Sequence, residues 1–294
     1  MPALVWTPDQ PLRHRLPARA AARPCLVSGP LAHRQAVQSH QPPTPQQPPT
    51  LLLFGPVTLT GAAGETPNHA RDACLETLAW LLENPGAPCG GVDRSLYVTS
   101  ATRRSNLSRL RGWLGSAPDG SPFLPHAYSG RLNLHPAVTS DWHALQLLTS
   151  LGVRDTPTDL LSTALHLVRG APLGGNTGRT WGWAEGLRAA MATAARDVAI
   201  ALTERALDAG DLDLARWAGA RGHAAVGDDE ELLCLRLAVE RRAGNHMEVA
   251  RLAGCAHRQA YNLGVDLRPS TVSLLREATA APLRLRLRSQ ASLW

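Results

Sequence analysis

Four arginines within nine positions, Arg103, Arg104, Arg109 and Arg111, are interleaved with the hydroxyls of Ser105 and Ser108. Their types and spacing suit recognition rather than covalent chemistry. A guanidinium is a planar, permanently charged fork of donors that pairs bidentately with phosphate or with the O6/N7 edge of guanine. A serine hydroxyl can donate to the same oxygens. No carboxylate occurs between Val98 and Pro118, so the local field is uncompensated. At 100° per residue Leu107, Leu110 and Leu114 fall on one stripe, and Arg104, Ser108 and Arg111 fall on another. Ser105 flanks the second stripe. Arg103 and Arg109 stand where phosphates would meet them, and Arg131, further on, would reach the neighbouring backbone. The pattern predicts one amphipathic helix over 100–114, released by Gly115 in a left-handed conformation.

Other chemistries find little support. All thirty basic residues are arginine and none is lysine, which removes the P-loop lysine, the Schiff-base lysine and the lysine general base. The glycine run at 174–178 lacks the G-K-[ST] ending of a phosphate loop and reads as a linker turn. His166, His223 and His246 have no nucleophile and carboxylate at recognisable spacing. Five scattered cysteines, an odd number without C-x-x-C, offer neither a disulfide framework nor a zinc ribbon and fit a reducing compartment. The acidic run Asp228–Glu231 sits at a helix start, where carboxylates complement the dipole. No catalytic residue, metal site or cofactor is therefore assigned.

The elements that would hold the arginine helix can be read along the chain. Residues 1–50 carry eleven of the twenty-three prolines and read as a disordered, polyproline-like leader. Residues 51–60 are β-rich around Gly55-Pro56, which predicts two short strands. A helix from Asn68, a good N-cap, to Glu83 is predicted next, followed by a short helix around 93–98 and then the arginine helix. Residues 121–134 alternate with turn residues and predict a hairpin. Strand pair, three helices and hairpin, with the basic helix third, is the layout of a winged helix-turn-helix.

From Ser140 onward the pattern is helical. Gly210-Asp211 recurs as Gly244-Asn245, and Ala215-Arg216-Trp217-Ala218-Gly219 recurs as Ala250-Arg251-Leu252-Ala253-Gly254. A period of thirty-four to thirty-five residues predicts stacked helix pairs of tetratricopeptide type, with Trp142, Trp181, Trp183 and Trp217 as packing anchors. The alternating Leu283–Arg288 segment reads as part of a frayed basic tail. The expected division is 1–50 leader, 51–138 winged helix-turn-helix, 139–281 helical array and 282–294 tail; the fold class is mainly α.

Leu53–Val57, Leu107–Gly115, Ala164–Leu173 with Trp181–Glu185, and Asp197 to Ala215 together resemble an actinobacterial family. It joins an OmpR-type winged helix to a bacterial transcriptional activator domain, as in the antibiotic regulatory proteins of Streptomyces. The nearest subtype is the branch whose longer members also carry LysM and transmembrane segments, neither of which occurs here. The chain would then be a soluble member or the C-terminal piece of a longer, membrane-linked protein. The resemblance implies a cytoplasmic transcriptional regulator, with double-stranded DNA as one partner. RNA polymerase or another protein would meet the helical array, which could also support a homodimer. Against it, residues 51–150 hold seven arginines and seven carboxylates, a neutral sum that suits a protein-interaction scaffold whose winged helix no longer reads DNA.

Overall fold

The computed structural model describes residues 47–174, 181–264 and 266–277. Most of the proline-rich leader, residues 175–180 of the glycine-rich turn, and the basic tail lie outside the described residues. The architecture is mainly α, a winged helix-turn-helix followed by a helical array.

Strands β1 (Thr50–Leu52) and β2 (Thr58–Thr60) pair antiparallel around Gly55-Pro56, with Leu51 opposite Leu59. Helix α1 (Arg71–Glu83) follows, and it is buried all round from Cys74 to Leu82. It begins after Ala70 without a side-chain cap, so Asn68 is not the N-cap the sequence suggested. Strand β3 (Ala87–Pro88), helix α2 (Cys89–Ser95) and helix α3 (Ser100–Leu114) complete the helical part. Helix α2 starts earlier than predicted, because the Cys89 amide is anchored on the Gly130 carbonyl at 2.9 Å.

The predicted hairpin over 121–134 does not form. Only β4 (Arg131–Leu132) is a strand there, and it pairs antiparallel with β3, while Ser116 bridges Pro122. The partner of this segment thus lies more than forty residues away in sequence, and local alternation could not reveal it. A further strand, β5 (Thr139–Ser140), joins the first sheet parallel to β1 and leads directly into α4 (Asp141–Leu148).

Helix α5 (Thr158–Leu167), a 3₁₀ turn and helices α6 (Glu185–Ala209), α7 (Leu212–Val226), α8 (Glu230–Arg242) and α9 (His246–Leu263) form the array, and residues 269–277 are again helical. The repeat read from the sequence is structural. Gly210 ends α6 at φ +77° and Gly244 follows α8 at φ +69°, a conformation that favours glycine. Asp211 and Asn245, next in line, then cap α7 and α9 by accepting from the amides of Leu214 and Glu248. Within each second helix the repeated arginine pairs three residues back, Arg216 with Asp213 and Arg251 with Glu248. Small residues set the spacing: a Cβ on Gly222 would lie 2.5 Å from the Ala199 Cβ.

One hydrophobic cluster runs from Leu51 through α1, α3 and α5 to Leu232 on α8, so no solvated linker separates winged helix from array at 138/139. Two buried carboxylates stitch the parts together. Asp141, at the start of α4, accepts from the amides of Leu53 (2.7 Å) and Phe54 (3.1 Å). Glu76 on α1 accepts from the Trp181 amide at 2.6 Å. Burial pushes both carboxyls above the usual carboxylate range. Trp142 packs its edge on Phe54 at 6.2 Å, Trp181 stacks on Trp183 at 6.1 Å, and Trp217 lies 4.3 Å from His166, which makes all four tryptophans packing residues.

Candidate nucleic-acid interface

Helix α3 forms where the sequence placed it. Thr99 caps it by accepting from the Thr102 amide at 3.2 Å. Leu107, Leu110, Trp113 and Leu114 are buried, and together they fix which face remains outside. Burial of each leucine is worth roughly 1.5–3 kcal/mol. At the other end Gly115 turns away at φ +77°. The last carbonyls of α3 are not left bare: the Ala63 and Gly64 amides donate to Leu114 and Trp113 at 3.3 and 2.9 Å. That contact requires glycine, because a Cβ on Gly64 would lie 1.9 Å from the Gly112 carbonyl oxygen. Gly64→Ala is therefore expected to lift the loop off α3 and lower stability by about 2 kcal/mol. The urea midpoint checks this, and an unchanged midpoint would mean that α3 does not lean on the loop.

The arginines separate into two groups. Arg104 and Arg109 are exposed and make no hydrogen bond or ion pair to the described residues. Ser108 is exposed beside them and Ser105 is half-buried. Arg103 turns inward, with only 13% of its side chain exposed, and binds the Asp93 carboxylate and the Cys89 carbonyl. Its bond to Asp93 ties α3 to α2. Arg111 is half-buried and donates through Nε to the Leu124 carbonyl (2.8 Å), with a longer contact to Pro125. Arg131 is exposed, but its guanidinium folds onto the Gly86 carbonyl at 2.8 Å. The stripe of Arg104, Ser108 and Arg111 expected from the sequence thus becomes Arg104, Ser108 and Gly112, since Gly112 is exposed with open space where a side chain would stand.

The charge sum also changes meaning once side chains are placed. Of the carboxylates in 51–150, Glu76 and Asp141 are buried and Asp93 is bound to Arg103. None of these three opposes the field outside α3. Two exposed residues had no signal in the sequence. Arg94 lies in the last turn of α2, and Tyr97 projects from the α2–α3 turn at φ +53°, 87% exposed. Both stand outside the arginine run, on α2 and on the turn that leads into α3.

A short strand pair, three helices with the basic one third, a reduced wing and a following helical array form an arrangement that can be compared directly with known structures. It has the fold of EmbR. The solved structure of Mycobacterium tuberculosis EmbR in complex with a low-affinity phosphopeptide matches with a TM-score of 0.54 and 18% sequence identity, over 79% of this chain and 65% of that chain. The likeness is one of fold, and this chain spans less than two thirds of the EmbR chain. No protein-family model and no curated protein matches the sequence. Among the described residues no group of three or more His, Cys, Asp or Glu side chains could hold a metal ion, and no helix is long and apolar enough to cross a membrane.

Proposed function

We propose that the protein is a DNA-binding transcriptional regulator, an activator in which residues 51–138 read promoter DNA and residues 139–281 form the partner-binding domain. The observation that carries this reading is the outer face of α3, where Arg104, Ser108 and Arg109 stand free of carboxylates and of internal partners. A helix of this kind, third in a winged helix-turn-helix, fits the major groove, with Gly112 allowing close approach of the duplex. The fold shared with EmbR supports a transcriptional regulator like the antibiotic regulatory proteins of Streptomyces that the sequence resembles. Arg104 would meet base edges or phosphate, Ser105, Ser108 and Arg109 would meet phosphates, and Arg131 would act at the wing. Arg103 and Arg111 would serve by holding α3 in place. The helical array would meet RNA polymerase or a second copy of the chain.

Selection of bound fragments from the host genome tests the reading. Enrichment of a repeated half-site is the expected result, and its spacing would report a dimer; recovery no better than the input would overturn it. One observation favours a protein-interaction scaffold instead: Arg103, Arg111 and Arg131 all spend their guanidinium groups on the protein's own acceptors. The scaffold predicts no salt-sensitive binding to any duplex.

A further inference from the structure

Three arginines of the array, Arg216, Arg236 and Arg251, surround two carboxylates. Glu240 is 5% exposed and is held by Arg216 at 2.7 and 3.2 Å and by the Asn245 amide group at 2.9 Å. Glu248 is held by Arg251 at 2.6 and 2.5 Å. Arg236, midway along α8, is left over: half-buried, with no hydrogen bond or ion pair to any described residue. Its stem packs so closely on α7 that a Cβ on Gly219 would lie 2.9 Å from its Cγ. Loss of solvent, and after it the like charge of Arg251, disfavour its cation and outweigh the pull of Glu248 and Glu240, so that it stays below the ordinary guanidinium range.

Arg236 lines two cavities, of about 350 and about 310 Å³, and both also touch Leu252 of α9. The larger has an apolar floor that includes Leu233, Leu252 and Ala256, and exposed Asp228 and Asp266 stand at its mouth. The neighbouring acids Asp229 and Glu230 are already bound, to Arg196 and Arg268.

We propose that the larger cavity binds a small monocarboxylate with an apolar body, its carboxylate paired with Arg236. Three guanidinium groups share two carboxylates here, so the half-buried cluster keeps one excess positive charge, and an anion brought to Arg236 from the larger cavity gains a charge-assisted bond in a partly dry site. The volume suits a ligand of some ten heavy atoms, and the apolar floor suits an aliphatic or aromatic body. The two exposed acids at the mouth disfavour multiply charged anions such as phosphate esters, which is why one negative charge, placed inward, fits best. The site would make the array a sensor of a carboxylate effector, and it stands independently of the DNA reading.

Calorimetric titration of the full chain with octanoate tests it, with octanol, octylammonium and octyl phosphate as parallel probes. Octanoate is expected to bind at least about tenfold more tightly than each of the others, and Arg236→Gln to weaken it by at least about tenfold. Hydrogen exchange on the wild type should show octanoate slowing α8 and α9 and leaving α3 unchanged, a readout that holds even if the variant fails to fold. Equal binding of octanol or octylammonium would overturn the proposal by showing nonspecific apolar uptake. Tighter binding of octyl phosphate, an unaffected Arg236→Gln, or protection elsewhere would overturn it as well. None of these outcomes touches DNA binding, so the two readings fail separately.

Discussion

Replacing Arg104 and Arg109 together by alanine is expected to weaken binding to duplex DNA roughly a hundredfold at about 0.1 M salt. Both guanidinium groups are exposed and have no partner in the described protein, so their removal costs the fold little. Each phosphate contact releases condensed counterions and adds about 0.9 to the slope of log affinity against log salt. Losing two contacts should flatten the slope by about 2. A gel-shift series from low to moderate salt measures both quantities. Arg104→Lys separates charge from geometry: the slope should survive, while discrimination among sequences falls, because an ammonium cannot pair bidentately with guanine. Arg103→Ala serves as the contrast. It strips Asp93 of its partner and should lower thermal stability. A double variant that binds with unchanged slope would remove α3 from the interface.

Asp141→Ala is expected to cost about 3 kcal/mol of stability, the largest effect of any single side chain outside the apolar core. The carboxylate is 2% exposed and accepts from two backbone amides, Leu53 and Phe54, which have no other acceptor once it is gone. It also lies 3.9 Å from the Arg169 guanidinium. The loss falls at the joint between the first sheet and α4, so unfolding should begin there. Urea denaturation with hydrogen exchange at Leu53 and Phe54 reads both the size and the place; a midpoint within error of the wild type would sink the claim. The pH dependence has a definite sign. Burial raises the Asp141 carboxyl above the usual range, so its contribution is fully present below the ordinary carboxylate pKa and is lost as pH rises through the raised value. The amide in Asp141→Asn does not titrate, and its deficit should be larger near about pH 4 than near about pH 7.

Features whose cause is local are legible in the sequence. Helix α3 has its predicted ends because its leucines repeat at helical spacing and Gly115 stops it. Strands β1 and β2 pair as expected because the turn between them is short. The repeat of Gly-Asp and Gly-Asn marks true helix junctions, since one residue must adopt a positive φ and the next must cap. Features that depend on distant partners emerge only with packing. Packing took Arg103 and Arg111 off the outer face, because Asp93 and the Leu124 carbonyl lie within reach only after α2 and the 124–125 segment have packed. It replaced the hairpin by a β3–β4 pair. It also removed Glu76 and Asp141 from the surface charge, so that a neutral count became a basic face on α3. Arg236, one of thirty arginines in the sequence, is singled out only by the helices that enclose it. Periodicity can say which way a side chain points from its own helix, but what it meets there is settled by the rest of the fold.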